Sequence, residues 1–382
     1  MSGPLRVLFV QYTNPAGYPP LEHGSQLLAR EGWEVLFLGT RSLGESDRLK
    51  MQPHPLIRLK SLPYCPPGFL QKLHYAAFSL WVCATAVVWR PRWVYLSDPL
   101  GCPVGLLLKK VFRRRLIYHE HDLPAGFGHR RAARVIAWAR RRLAQEADAL
   151  VAPNSARADR LVAETESSQP VFCVMNCPLR EEAVESRSSP EQKPFVLIYH
   201  GSLVPRRFPA SILEALAVLP ETVRLRIVGY ETDLGLRYRA QLEQKARELN
   251  VAGRVEFLGV LPTRKQMMGV ISCCRVGLSL VANSDDLNER TLAGASNKAF
   301  EQLACGLPLL VTDSPEWKRM FVDPGYALAC DPSSPASIAG AVQWMLQNPG
   351  QTREMGEKGR SRIRQEWNYE RQFAPVLNWM GS

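Results

Sequence analysis

The sequence predicts an α/β protein built from two Rossmann-like, doubly wound domains facing each other across a cleft. Three observations carry this. The 382 residues exceed what one ordinary hydrophobic core accommodates. Short apolar runs alternate with helix-like segments along the chain, the pattern of parallel sheets covered by helices. That alternation lapses once, in the polar, proline-bounded stretch CPLREEAVESRSSPEQKP after Asn176, and then restarts.

In chain order, the first half predicts strands at LRVLFVQ, WEVLFLG, WVYLSD, RRLIYHE, ALVAPN and VFCVMN. Helices lie between them, among them residues 21–31 and 130–146. The opening MSGPLRVLFVQYTNP reads as a first strand rather than a signal peptide, because a single Arg precedes an apolar run that ends in a polar loop. The apolar run Leu73–Trp89 has 17 residues and an internal His, short for a membrane span, and Arg90-Pro91-Arg92 ends it. It reads as a buried or interfacial helix. The second half predicts strands at FVLIYHG, RLRIVG, VEFLG, VGLSLV and LPLLVTD. Residues 345–380 read as a pair of charged amphipathic helices crossing back over the first domain. The expected division is 1–185, 186–360 and a terminal helix within 361–382. A ligand belongs where the strands of the two halves end in glycine or polar turns.

Hydrophobic content of 46% with 22% charged residues is that of an ordinary soluble globular protein. The net charge is +12, and most of it falls in residues 1–190, which hold 25 Lys and Arg against 16 Asp and Glu. No nucleic-acid motif or aromatic-interleaved basic strand accompanies it, which argues against a nucleic-acid partner. Clustered cations near apolar surface favour an anionic membrane instead, with solvated helix faces as the plainer alternative. The nine cysteines show neither paired CxxC nor histidines at ligand spacing. Reduced, buried thiols of a cytoplasmic protein fit better than structural zinc.

Three short motifs carry chemistry. In HGSLVPRR a strand ends at Gly201 and Ser202, and Arg206 and Arg207 follow. Glycine lets a phosphate approach the backbone, and arginine pairs with diphosphate oxygens. A plain strand-to-helix turn is the alternative. In ASNKAFEQLACGLPLLVTD a helix begins at Asn297 and carries Lys298 and Glu301. Its first N–H groups and the lysine favour an anion, and the glutamate can accept from two vicinal hydroxyls. The alternative is an i,i+3 surface ion pair. In HEHD, strand alternation sets His119 and His121 on one face and Glu120 on the other. A metal held by the two histidines lacks an evident third ligand.

These motifs, together with RLRIVGYE, RVEFLGVLP and REMGEKGRSRIRQEWNYERQF, resemble the retaining glycosyltransferases of the GT-B fold, family 4 type, over essentially the whole chain. WVYLSDPLGCPVGLLLKK and RRLIYHEHDLP resemble that family's acceptor side. The resemblance implies that Arg207 and Lys298 hold the donor diphosphate and Glu301 the ribose. Gly201, Ser202 and Asn297 would complete the donor site, and the turn from Gly259 through Leu261 to Pro262 would read the base. His121 would face the donor sugar, acting with Arg207 and Lys298 in catalysis. Asn14 to Gly17 and Glu120 would shape the acceptor side. Two positions depart from the family pattern: Ser202 stands where many members have Arg, and Ala293 where many have Glu. They leave the donor sugar open. Asp285-Asp286 lack DxD spacing, so the implied transfer needs no metal and no cofactor. Its partners would be a nucleotide sugar and a glycan or lipid-linked acceptor, at the cytoplasmic membrane face. The rival readings are a nucleotide-sugar epimerase or hydrolase of the same fold, and a non-catalytic GT-B partner subunit.

Overall fold

The computed structural model describes residues 5–124, 131–184, 194–232, 235, 237–282 and 286–381. The chain divides into two compact units. One comprises Met1–Asp47, Met51–Asn176 and Tyr369–Ser382, the other Arg48–Lys50 and Cys177–Asn368.

The first unit holds a parallel sheet of β1 (Arg6–Val10), β2 (Glu34–Thr40), β3 (Ile57–Leu62), β4 (Trp93–Ser97), β5 (Arg115–His119), β6 (Ala149–Ala152) and β7 (Val171–Cys173). Their order is β3-β2-β1-β4-β5-β6-β7. The central strands are buried on both faces, so they read as continuous apolar runs. The chain winds outward from β1 to β3 and then resumes at β4 on the other side of β1, a topological switch point. β3 was not foreseen: IRLKSL lies at the sheet edge with its four middle residues exposed, and it lacks an apolar signature.

The second unit repeats the plan with β8 (Phe195–Ser202), β9 (Val223–Tyr230), β10 (Val255–Gly259), β11 (Val276–Ser279), β12 (Leu309–Thr312) and β13 (Ala327–Cys330). All pairs are parallel, in the order β10-β9-β8-β11-β12-β13, with the switch between β8 and β11. β13 is the second unforeseen strand, four residues at the other kind of site where pattern fails, a short edge.

The unit boundaries fall at 176/177 and 368/369 rather than at 185 and 360. Position 185 lies outside the described residues, as do 130 and 285. The start of the expected linker is already second-unit structure, because Cys177, Leu179 and Ala183 are buried and Arg364 donates to the Ala183 carbonyl at 2.9 Å. The tail holds the end of Pro335–Gln347 and two further helices, Pro349–Gln365 and Tyr369–Gly381. The last helix returns to the first unit. Phe373 fills the space above Gly24, the Tyr369 ring packs at a tilt against His23, and Trp93 Nε1 donates to the Met380 carbonyl at 2.9 Å.

The apolar run near residue 80 is a helix, Phe69–Trp89, anchored in the core by Phe78, Val82 and Ala86. Among the described residues no helix is long and apolar enough to cross a membrane. All nine cysteines are free; Cys102, Cys177, Cys274, Cys305 and Cys330 are buried, and Cys173 and Cys273 are exposed.

Candidate functional site

At the carboxyl edge of the second sheet, β8 runs out in His200-Gly201-Ser202 at the switch point, where open α/β sheets take ligands. Gly201 has φ +120°, and a Cβ there would lie 3.4 Å from Lys298 Cδ. Its neighbour on β9, Gly229, is tighter still: a Cβ would sit 1.9 Å from the Gly201 carbonyl oxygen. The helix Asn297–Ala304 begins beside this strand end, and Ser296 supplies no side-chain cap to it. Lys298 Nζ is buried 4.3 Å from the Tyr199 ring centroid, and among the described residues neither it nor the buried Asn297 Oδ1 has a hydrogen-bond partner. Burial, then the nearby Arg207 charge, pushes the Lys298 ammonium down to about 7 against the pull of Glu289 and Glu301.

Lys298 and Glu301 therefore do not form the surface ion pair that their spacing allowed. Glu301 is buried and gripped from two sides. His200 Nε2 lies 2.7 Å from Oε2, and Arg264 Nη1 donates to Oε1. Gln302 fixes the imidazole: Ser279 Oγ donates to Gln302 Oε1 at 3.0 Å, so its amide nitrogen points to His200 Nδ1 at 3.4 Å and the ring proton belongs on Nε2. Arg264 is held in turn by both oxygens of Glu182, at 2.8 and 3.1 Å. Burial alone would raise the Glu301 carboxyl, but Arg264 and His200 outweigh it and hold it at about 2.

Arg264 also ties in the base-reading candidate. Gly259, with φ +65°, ends β10 where its register against β9 shifts. The turn through Leu261 and Pro262 leads to Thr263, which caps the helix Arg264–Ile271 by accepting from Gln266 N. Arg207 Nε lies 3.2 Å from Glu289 Oε1, which Arg206 Nε shares at 3.0 Å, so a buried carboxylate orients both arginines. Asp286 accepts from Asn288 N as the cap of its own short helix.

In the first unit, β5 runs into Glu120 and His121. The rings of His119 and His121 lie with centroids 3.8 Å apart and tilted by 42°, and His119 Nδ1 lies 2.8 Å from Tyr95 Oη. Both ring nitrogens of His121 are buried and have no hydrogen-bond partner among the described residues. Burial first, with Asp122 opposing and Arg157 assisting, brings its imidazole down to about 4, so it is neutral at pH 7. Its backbone N–H donates to Asp98 Oδ1 at 3.1 Å, and Asp98 adopts φ +62° to accept it. Glu120 points the other way, into a buried clamp of Arg140 at 2.6 and 2.7 Å and Tyr118 Oη at 2.6 Å. That ion pair corrects its assignment to the acceptor side. Asn14 spends its side chain on the loop itself, accepting from Ala16 N at 3.1 Å and donating to the Ser46 carbonyl at 3.3 Å. The turn it caps, Pro15–Gly17, leads to Tyr18, whose ring centroid is 5.2 Å from that of His121. Gly17 is exposed.

Both halves of the chain match glycosyltransferase families. The family described as Glycosyl transferases group 1 matches residues 180–362, and the Glycosyl transferase 4-like domain matches residues 22–176. The chain belongs to the group 1 glycosyltransferases. No curated protein matches it. Solved structures share its GT-B fold. HepE of Anabaena, crystallised with UDP-glucose, has a TM-score of 0.74 at 16% identity over 99% of both chains. Sucrose-phosphate synthase of Thermosynechococcus elongatus gives 0.71 at 17% identity over 98% of both. The α,α-trehalose-phosphate synthase of Burkholderia vietnamiensis gives 0.68 at 11% identity, covering 98% of this chain and 99% of its own.

Within this glycosyltransferase the second unit brings Gly201, Lys298, Arg207, Glu301 and, through Arg264, the Gly259 turn into one neighbourhood. His200, Gln302, Arg264, Glu182 and Glu289 were missed, and in the first unit Tyr95 and Asp98. His200 alone carried a local signal, as the residue directly before the phosphate-turn glycine. The others act across long sequence separations that no motif records.

Proposed function

We propose that this glycosyltransferase moves a sugar from a nucleoside-diphosphate donor to a glycan or lipid-linked acceptor, with retention at the anomeric carbon and without a divalent metal. The observation that carries the reading is the buried Lys298 Nζ, which meets no hydrogen-bond partner among the described residues, at a helix N-terminus beside Gly201. A buried ammonium without a counter-ion is costly, and a diphosphate supplies that charge. The UDP-glucose complex of HepE supports a donor of this class.

In this reading the acceptor hydroxyl oxygen bonds the anomeric carbon on the face from which the diphosphate leaves. The carbon–oxygen bond to phosphate breaks, and the released phosphate oxygen takes the hydroxyl proton. Lys298, Arg207 and the helix N–H groups stabilise the charge that grows there. Glu301 receives the ribose hydroxyls on the lone pairs that His200 and Arg264 leave open. The neutral His121 is the candidate hydrogen-bonding group for the transferred sugar. Metal-free transfer is supported by the employment of Asp286 as a helix cap and by the cations already stationed at the diphosphate position.

The test is a thermal-shift panel of UDP-, GDP- and ADP-sugars, followed by measurement of nucleoside-diphosphate release in chelator, with and without a glycan or lipid extract. One sugar nucleotide should stabilise the protein, and its turnover should require the extract. Turnover without acceptor would favour a hydrolase or epimerase. Binding of none would leave a non-catalytic partner.

A further inference from the structure

We infer that one helical face of the first unit is a docking surface for an anionic lipid bilayer. The helix Phe69–Trp89 buries Phe78, Val82 and Ala86 on one side. On the opposite side every exposed residue from Leu73 to Val88 is apolar: Leu73, Leu80, Val87 and Val88, with only alanines between them. Positions 73, 80 and 87 repeat every seven residues and so form one stripe. Leu80 is 71% and Val88 82% exposed, and Phe69 and Leu70 extend the stripe at its start with 72% and 70%. A water-facing helix side carries charges, and single exposed leucines need no explanation. A continuous apolar stripe about 30 Å long is different and marks an interaction surface.

Two neighbouring helices add exposed apolar side chains of their own. Cys102–Lys110 and Arg131–Glu146 contribute to the same core cluster on the same sheet face, and they expose Leu107 and Trp138. Of the eight Lys and Arg on the three helices, Arg140 is buried against Glu120, and Lys109, Lys110 and Arg141 pair with Asp148, Glu146 and Glu166, so the exposed positive charge rests on Lys72, Arg131, Arg134 and Arg142. On Arg131–Glu146 the exposed neighbours of Val135 and Trp138 are Arg131, Arg134, Arg141 and Arg142. Apolar side chains flanked by arginines, with Glu166 offsetting Arg141 alone, complement acyl chains beneath phosphate headgroups. A second copy of the chain is a poor occupant, because pairing this face with itself sets like charges together. With one side fixed in the core, the long helix lies along the bilayer surface rather than through it.

The experiment uses the full chain and extruded vesicles of phosphatidylcholine, alone or with about a third phosphatidylglycerol, in a sedimentation assay. The wild type should sediment with the anionic vesicles and much less with the neutral ones. The double variants Leu80→Glu/Val88→Glu and Arg134→Glu/Arg142→Glu should each need about tenfold more lipid for half-binding. Both change exposed side chains and should keep the wild-type melting temperature. The inference is overturned if the wild type ignores anionic vesicles or if Leu80→Glu/Val88→Glu binds them unchanged. It is equally overturned if the wild type is a dimer that this variant dissociates. Neither donor nor acceptor is present, so failure here leaves the donor reading standing, and the reverse also holds.

Discussion

Lys298 holds its ammonium in a buried position over Tyr199 where no hydrogen-bond acceptor among the described residues meets it. Replacing it with methionine keeps the volume and removes the charge. Lys298→Met should leave the free protein as stable or more so, yet weaken nucleoside-diphosphate binding about tenfold or more by titration calorimetry. The sign of the pH effect follows from the lowered value. Between about 7 and the ordinary 10.5 the unfolded chain carries a proton that the folded one lacks, so this residue makes stability rise with pH across that window. A bound diphosphate should restore the proton. Binding at pH 8 should then take up part of a proton, seen by calorimetry in two buffers of different ionisation enthalpy, and Lys298→Met should abolish it. Glu301 has the opposite sign: held at about 2, it contributes stability above the ordinary 4.5 that is lost as pH falls toward 2. Glu301→Gln should flatten that acid slope and erase discrimination between ribose and 2′-deoxyribose donors in KM. Equal discrimination in the variant would remove Glu301 from the ribose. Lys298, Glu301 and Gly201 were legible because each sits in a local motif. The groups that set their chemistry were not, since Arg264 is 37 residues and His200 101 residues from Glu301.

Strands whose two faces are both buried announced themselves, as β1 with RVLFV and β4 with WVYLS show. β3 and β13 did not, because an edge strand lacks one neighbour and needs neither a long nor an apolar sequence. The alternation rule also separated His119 and His121 from Glu120 correctly, but it could not say that Arg140 waits on the far face. At this scale the pairing of β8 with β9 is the vulnerable joint of the donor site. Gly229→Ala must force the Gly201 carbonyl away, and should cost about 3 kcal/mol in chemical denaturation. The same variant should lose diphosphate binding before it loses its fold. A melting temperature within a degree of wild type would show that the two strands have slack.

The two-unit plan was readable from the lapse in alternation after Asn176, but not the points where the chain changes unit. Those depend on which residues find burial, as Cys177 and Leu179 do in the second unit and Tyr369 and Phe373 in the first. Phe373 belongs by sequence to the end of the chain and by packing to its beginning, against Tyr95 and Gly24. Phe373→Ala should destabilise the first unit by about 3–5 kcal/mol. Hydrogen exchange should speed up in β1 and β4 while β8 and β12 keep their protection. Uniform loss across both sheets would mean that the units do not unfold separately.

The returning helix also sets the order of events during synthesis. Residues 177–368 must all be translated before Tyr369–Gly381 exists to cover Trp93 and His23. At ordinary rates of elongation that is a delay of roughly 10–40 s. The unit made first is therefore the last to be finished, and for that interval the surface meant for Phe373 lies open to chaperones and to other nascent chains. A ribosome that stops short of the final helix would release a complete second unit joined to an unfinished first one.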